Sequence, residues 1–110
     1  MTDALTFLKT RRSRPAKILT APVPDREALE ELLCTAARTP DHGKLEPWRF
    51  IVLEQAALRR LGALARSLAQ TAAPEVVDPD KASQQFENGQ LAVVVVASPK
   101  PCDRFPQIEQ

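Results

Sequence analysis

Residues 37–53 read ARTPDHGKLEPWRFIVL and join a predicted helix to a predicted strand through a short polar loop. Upstream, leucines and alanines recur at i, i+3, i+4, i+7 and i+8, which predicts a helix over Arg26–Ala37 with Asp25 as its N-cap. Pro40 and Gly43 favour a turn after this helix. Trp48–Leu53 is rich in bulky and β-branched side chains and predicts a strand. The stretch therefore indicates a mixed helix–strand domain.

The rest of the chain extends this order of elements. Hydrophobic periodicity predicts further helices over Thr2–Lys9 and Gln55–Gln70. A short, mostly polar helix is predicted over Asp80–Asn88, closed by Gly89 at its C′ position. Leu91–Ala97 reads LAVVVVA, and a run that is apolar on both faces indicates a strand covered on both sides. Because two strands alone make a poor sheet, we expect its neighbours to come from further chain or from a partner.

Length and charge limit the possible functions. A chain of 110 residues is one domain, residues 1–110. With 15 basic and 14 acidic residues the net charge is +1, which predicts no nucleic-acid partner and no membrane partner. The longest apolar run is too short to cross a bilayer, and no signal peptide is visible. Cys34 and Cys102 fit no metal or redox spacing, so we expect reduced thiols in a cytoplasmic protein.

Several common catalytic and cofactor motifs are missing. There are three glycines, too few and too scattered for a dinucleotide fingerprint or a P-loop. The single histidine has no suitably spaced cysteine or carboxylate, which predicts no zinc site. One histidine and no GxSxG also disfavour a Ser-His-Asp hydrolase.

A basic cluster follows the first predicted helix. Arg11, Arg12, Ser13 and Arg14 lie where this helix gives way to a loop. Guanidinium groups offer rigid pairs of donors that match phosphate oxygens, and a serine hydroxyl can add a neutral hydrogen bond. The pattern indicates a phosphate-bearing ligand. The alternative is that these cations only complement the negative end of the helix dipole.

The loop of residues 38–46 is a second candidate site. It contains Arg38, Asp41, His42 and Lys44, a density of polar groups that is typical of a ligand pocket. The alternative is that His42 is a polar turn residue beside Pro40. Nothing local to this loop decides between these interpretations.

Taken in order, these segments resemble the nitroreductase family of FMN-dependent NAD(P)H oxidoreductases. The loop after the second helix is similar to that of the small bacterial NAD(P)H nitroreductase subgroup, although Lys44 and Glu46 stand where many members of the wider family have Asn and Gln. The resemblance covers the N-terminal part of the family's length. The matching stretches are Arg11-Arg12-Ser13-Arg14, Val23-Pro24, Ala37–Lys44, Pro47–Val52, Leu91–Ser98 and Pro106…Glu109-Gln110.

The resemblance implies an α+β fold, with helices packed on a mixed sheet, in a single nitroreductase-like domain that stops short of the family's C-terminal part. It implies a homodimer with FMN at the subunit interface, NAD(P)H as electron donor and a nitro compound or other small molecule as acceptor. Arg11, Arg12 and Ser13 are then expected to hold the flavin phosphate and ribityl chain, and Arg38 and His42 to make further flavin contacts. No catalytic protein residue is expected.

Two alternatives remain open at this point. One is a truncated and inactive fragment of such an enzyme. The other is a small phosphate-ligand or interaction module without flavin. An unpaired strand edge and an exposed apolar face on the second helix would indicate a fold that depends on a partner.

Overall fold

The computed structural model describes residues 3–72, 75–107 and 110. Over these residues it contains four helices and two strands. In chain order they are α1 (Ala4–Thr10), α2 (Arg26–Ala36), β1 (Trp48–Glu54), α3 (Gln55–Ala72), α4 (Pro79–Glu87) and β2 (Leu91–Ala97). Two 3₁₀ turns, Ala16–Ile18 and His42–Lys44, flank α2. The predicted helices and strands are confirmed with small shifts at their ends; Thr2 lies outside the described residues.

Aspartates begin three of the helices by accepting backbone hydrogen bonds. Asp3 accepts from the Thr6 amide at 2.9 Å, and Asp25 accepts from the Ala28 amide at 2.9 Å, which confirms Asp25 as an N-cap. Asp78 caps α4 in the same way. Each cap satisfies an amide that the helix itself leaves unpaired.

β1 and β2 form an antiparallel pair, so the described residues show one pair of the sheet that the resemblance implies. The register places Phe50 opposite Val95 and Val52 opposite Val93, and directly opposed residues share a face. Val95 is 67% exposed, although it lies in the most apolar strand of the chain. One face of the valine strand is therefore open, so within the described residues the predicted cover on both sides is not found.

α3 and α4 pack against each other and form the most enclosed part of the molecule. Leu58 and Ala69 of α3 are buried, and the Ser83 hydroxyl of α4 is completely buried and donates to Glu87. Gly62 lets the helices approach, because a Cβ there would lie 2.7 Å from Cγ of Glu87. α3 also contacts both strands. Together these contacts give an α+β arrangement, which confirms the predicted class.

The molecule as a whole is open. Its Cα radius of gyration is 18.0 Å, whereas a compact domain of this length has about 13 Å. Its accessible surface is 9162 Å², against roughly 6,000 Å² for a compact protein of this mass. Neither α1 nor α2 contains a buried residue. In the described ranges no helix is both long and apolar enough to cross a membrane.

Candidate functional site

The basic segment Arg11–Arg14 is extended and exposed between α1 and the first 3₁₀ turn. A guanidinium nitrogen of Arg11 (Nη2) donates to the Ser13 hydroxyl at 3.1 Å, and Nη1 of Arg12 donates to the Arg11 carbonyl at 3.0 Å. Within the described part of the chain these arginines form no ion pair, and all of them are exposed. Most of their N–H donors are therefore available to bind an anion such as a phosphate group.

The bond from Arg12 to the Arg11 carbonyl bears on the alternative interpretation. Arg11 is the C-cap of α1, so this contact places one cation at the negative end of a helix. It uses one of the five N–H donors of Arg12. Complementing the helix end and binding an anion are thus compatible roles for the same side chain.

The second predicted group, Arg38 and His42, lies after the C-terminus of α2. The Arg38 amide donates to the Thr35 carbonyl at 3.2 Å, and both side chains are exposed. His42 begins the second 3₁₀ turn. These two residues therefore occupy one continuous connection between α2 and β1.

The backbone of this connection is unusual. Gly43, Lys44 and Glu46 all have positive φ, at 68°, 53° and 48°. The Glu46 amide donates to the Asp41 carboxylate at 2.8 Å, which holds the last of these residues in place. Left-handed backbone at non-glycine residues is uncommon and concentrates at functional sites. The loop therefore has a defined shape despite its exposure.

A residue that sequence reasoning missed packs against this loop. The Phe105 ring stacks on the His42 imidazole, with centroids 5.3 Å apart and planes inclined by 23°. A Cβ on Gly43 would lie only 2.7 Å from Cε2 of the same ring. The contact joins residues far apart in the chain, and no local pattern around Phe105 marks it.

The structure does not join the two predicted groups. No hydrogen bond or ion pair of the described residues links the segment Arg11–Ser13 to Arg38 or His42. The described residues form two prominent grooves, and the five predicted site residues line neither. The larger, about 680 Å³, separates α2 from the strand pair and is lined by Leu29, Leu33, Val52, Leu91 and neighbours. The smaller, about 310 Å³, lies between Pro15–Lys17 and α4.

Comparison with known proteins identifies relatives of one kind. The profile of the "Nitroreductase family" matches residues 8–107. A Haemophilus influenzae protein named "Putative NAD(P)H nitroreductase" is 51% identical over 65 residues, which are 59% of this chain and 34% of that protein. "Putative NAD(P)H nitroreductase YdjA" of Escherichia coli K12 is 34% identical over 108 residues, 98% of this chain and 58% of that protein. The chain thus spans less than two thirds of the length of each of these relatives.

Proposed function

Because this chain belongs to the nitroreductase family, we propose that it is an FMN-dependent oxidoreductase that uses NAD(P)H to reduce a nitro compound or another small electron acceptor. The observation that carries the proposal is the exposed segment Arg11–Ser13, whose donors are free of carboxylate partners in the described residues. The printed names of two relatives, both NAD(P)H nitroreductases, support the same reaction class.

The donor set fits a flavin mononucleotide. Arg11 and Arg12 offer guanidinium groups for the phosphate, and Ser13 offers a hydroxyl for the phosphate or the ribityl chain. Arg38 and His42 are proposed as the second group of flavin contacts. In a dimer, the two groups that are separate in one chain can be supplied by different subunits.

FMN, when bound, supplies the two-electron redox chemistry between NAD(P)H and the acceptor. The chain's own residues bind and orient it. Arg11 and Arg12 neutralise phosphate charge, and His42 presents an imidazole that can donate or accept a hydrogen bond. We assign no catalytic residue to the protein, since hydride transfer to a flavin needs no protein nucleophile.

A homodimer is part of the proposal, with FMN at the interface between subunits. The open face of β2 and the exposed apolar side of α2 support it, because such surfaces are costly to leave in water. We place the protein in the cytoplasm, where thiols such as Cys34 and Cys102 stay reduced; both cysteines are free.

A second candidate function is a flavin-free interaction module. The observation that favours it is the openness of the chain, whose radius of gyration of 18.0 Å leaves α1 and α2 without a buried residue. Such a chain would bind a protein partner through its apolar faces. Its basic segment Arg11–Arg14 would bind a phosphate group that is not part of a flavin.

The test is a gel-filtration run of the purified chain after incubation with FMN, with absorbance at flavin wavelengths and mass recorded on the eluted peak. A flavin band on a species of twice the chain mass is the expected result. A colourless peak would contradict the oxidoreductase proposal for this chain and favour the flavin-free alternatives, an inactive fragment or an interaction module. Flavin that elutes with a species of the chain's own mass would support FMN binding and contradict the proposed dimer.

Matched variants assign the site. Arg12→Ala should weaken FMN binding by roughly 1.5–3 kcal/mol if its guanidinium bonds the phosphate. The double variant Arg11→Ala/Arg12→Ala should lose the flavin band. Arg59→Ala/Arg60→Ala removes the same charge from exposed positions of α3 and should keep it. Equal flavin retention by the two double variants would contradict the assignment.

A further inference from the structure

The contact between Phe105 and the loop of residues 41–46 shows how a proposed flavin contact is held. In the described residues the His42 imidazole forms neither a hydrogen bond nor an ion pair, and it is exposed. Its specific neighbour there is the Phe105 ring, at a centroid distance of 5.3 Å. A histidine on a surface loop normally samples several rotamers, so stacking is what restricts this one.

The same ring also supports the loop backbone. A Cβ on residue 43 would lie 2.7 Å from Cε2 and 3.0 Å from Cδ2 of Phe105, so any side chain there would force the ring or the loop to shift. Gly43 also has a φ of 68°, which disfavours any other residue. One aromatic side chain therefore contacts both the imidazole and the left-handed turn that follows it.

Phe105 is itself held in position. The Arg104 guanidinium carbon lies 5.5 Å from the centre of its ring. The Gln110 side-chain amide donates to the Phe105 carbonyl at 3.2 Å and exchanges two hydrogen bonds with the Lys100 backbone, at 2.7 and 2.9 Å. The segment after β2 is thus closed into a loop that presents the ring to His42.

We propose that Phe105 is a positioning residue for the flavin site: it fixes the His42 side chain and the Gly43 turn in the conformation that contacts the cofactor. The inference rests on the proposed function. Its physical basis is preorganisation, because a side chain that is already ordered loses less entropy when a ligand binds. Phe105 itself is not assigned a contact with the cofactor.

The experiment compares the wild-type protein with Phe105→Leu, Phe105→Tyr and Phe7→Leu. His42 is the one histidine of the chain, so its ring protons give unambiguous NMR signals. Stacking predicts that these signals lie upfield in wild type and in Phe105→Tyr, and move downfield in Phe105→Leu. FMN affinity should fall roughly two- to tenfold in Phe105→Leu, the range that an aromatic pair contributes, and be restored in Phe105→Tyr.

The controls separate positioning from folding. Phe7 is 56% exposed on α1, so Phe7→Leu makes the same chemical change away from the loop and should alter neither readout. Fluorescence of the single Trp48 reports whether each variant is folded. Unchanged FMN affinity in Phe105→Leu, or wild-type His42 signals without the upfield shift, would overturn the inference alone. A wild-type protein that binds no FMN would overturn the proposed function and this inference with it.

Discussion

Asp3 is the N-cap of α1, the helix that precedes the basic segment Arg11–Arg14. Its pKa is lowered from the ordinary value of 3.8, mainly because its carboxylate accepts a hydrogen bond from the Thr6 amide and a second one from the Thr6 hydroxyl. α1 itself contains no acidic residue, so Asp3 is the acidic group at the start of this helix. Its ionisation should therefore decide how well α1 is capped.

We expect α1 to lose helicity as the pH falls through the folded-state pKa of Asp3. Because the pKa of Asp3 is lower in the folded state, the cap stabilises α1 fully above pH 3.8, and this stabilisation is lost as the pH falls through the folded value. Residue-specific NMR shifts of Thr6 and Asp3 between pH 2 and 6 would measure it. Asp3→Ala should show a weakened α1 at every pH, and an Asp3 carboxyl that titrates above 3.8 would disprove the prediction.

At the scale of elements, the packing of α3 against α4 depends on Gly62, although glycine lowers the helix propensity of α3. Gly62→Ala should improve the helix propensity of α3 by up to about 1 kcal/mol. The new Cβ, however, would displace Glu87, which bonds the completely buried Ser83 hydroxyl. An unpaired buried hydroxyl costs about 1–3 kcal/mol, so we expect a net loss of stability of about 1 kcal/mol.

A double-mutant cycle on Gly62 and Glu87, with the free energy of unfolding measured in urea, tests whether the lost Ser83 hydrogen bond outweighs the gain in helix propensity. In a Glu87→Ala background the space above Gly62 is free, and the same Gly62→Ala change should then stabilise the protein. If Gly62→Ala stabilises the wild-type chain as well, Glu87 does not limit the approach of the two helices.

Sequence patterns predicted the elements because each pattern is local. The valine run of β2 and the leucine spacing of α2 are visible within a dozen residues. The pairing of β1 with β2 and the stacking of Phe105 on His42 are not visible in this way, since each joins distant parts of the chain. The arginine segment and the His42 loop could therefore be nominated as site residues, while their support by Phe105 could not.

For the whole molecule, the open sheet face should drive association. Val95 is 67% exposed and shares its face with Phe50, Val52 and Val93. Val95→Lys should shift the eluted species toward the monomer mass, because a charged side chain there opposes burial of the apolar face. Its effect on the isolated monomer should stay within about 0.5 kcal/mol.

Light scattering on the eluted peaks at two protein concentrations would measure this shift. Val76→Lys is the matched control, since Val76 is 86% exposed in the loop before α4 and lies outside the sheet. An unchanged mass for Val95→Lys would show that the subunits associate through a surface other than this sheet face.

The pairing of β1 with β2 across two intervening helices also has a consequence during biosynthesis. Ile51 pairs with Val94, so the first strand leaves the ribosome well before its partner has been translated. At usual elongation rates this delay is roughly 2–9 seconds. The helical hairpin between the strands forms in far less time. A nascent β1, with Phe50, Ile51 and Val52 in sequence, therefore lacks its strand partner for this time and is open to chaperones or to aggregation before β2 arrives.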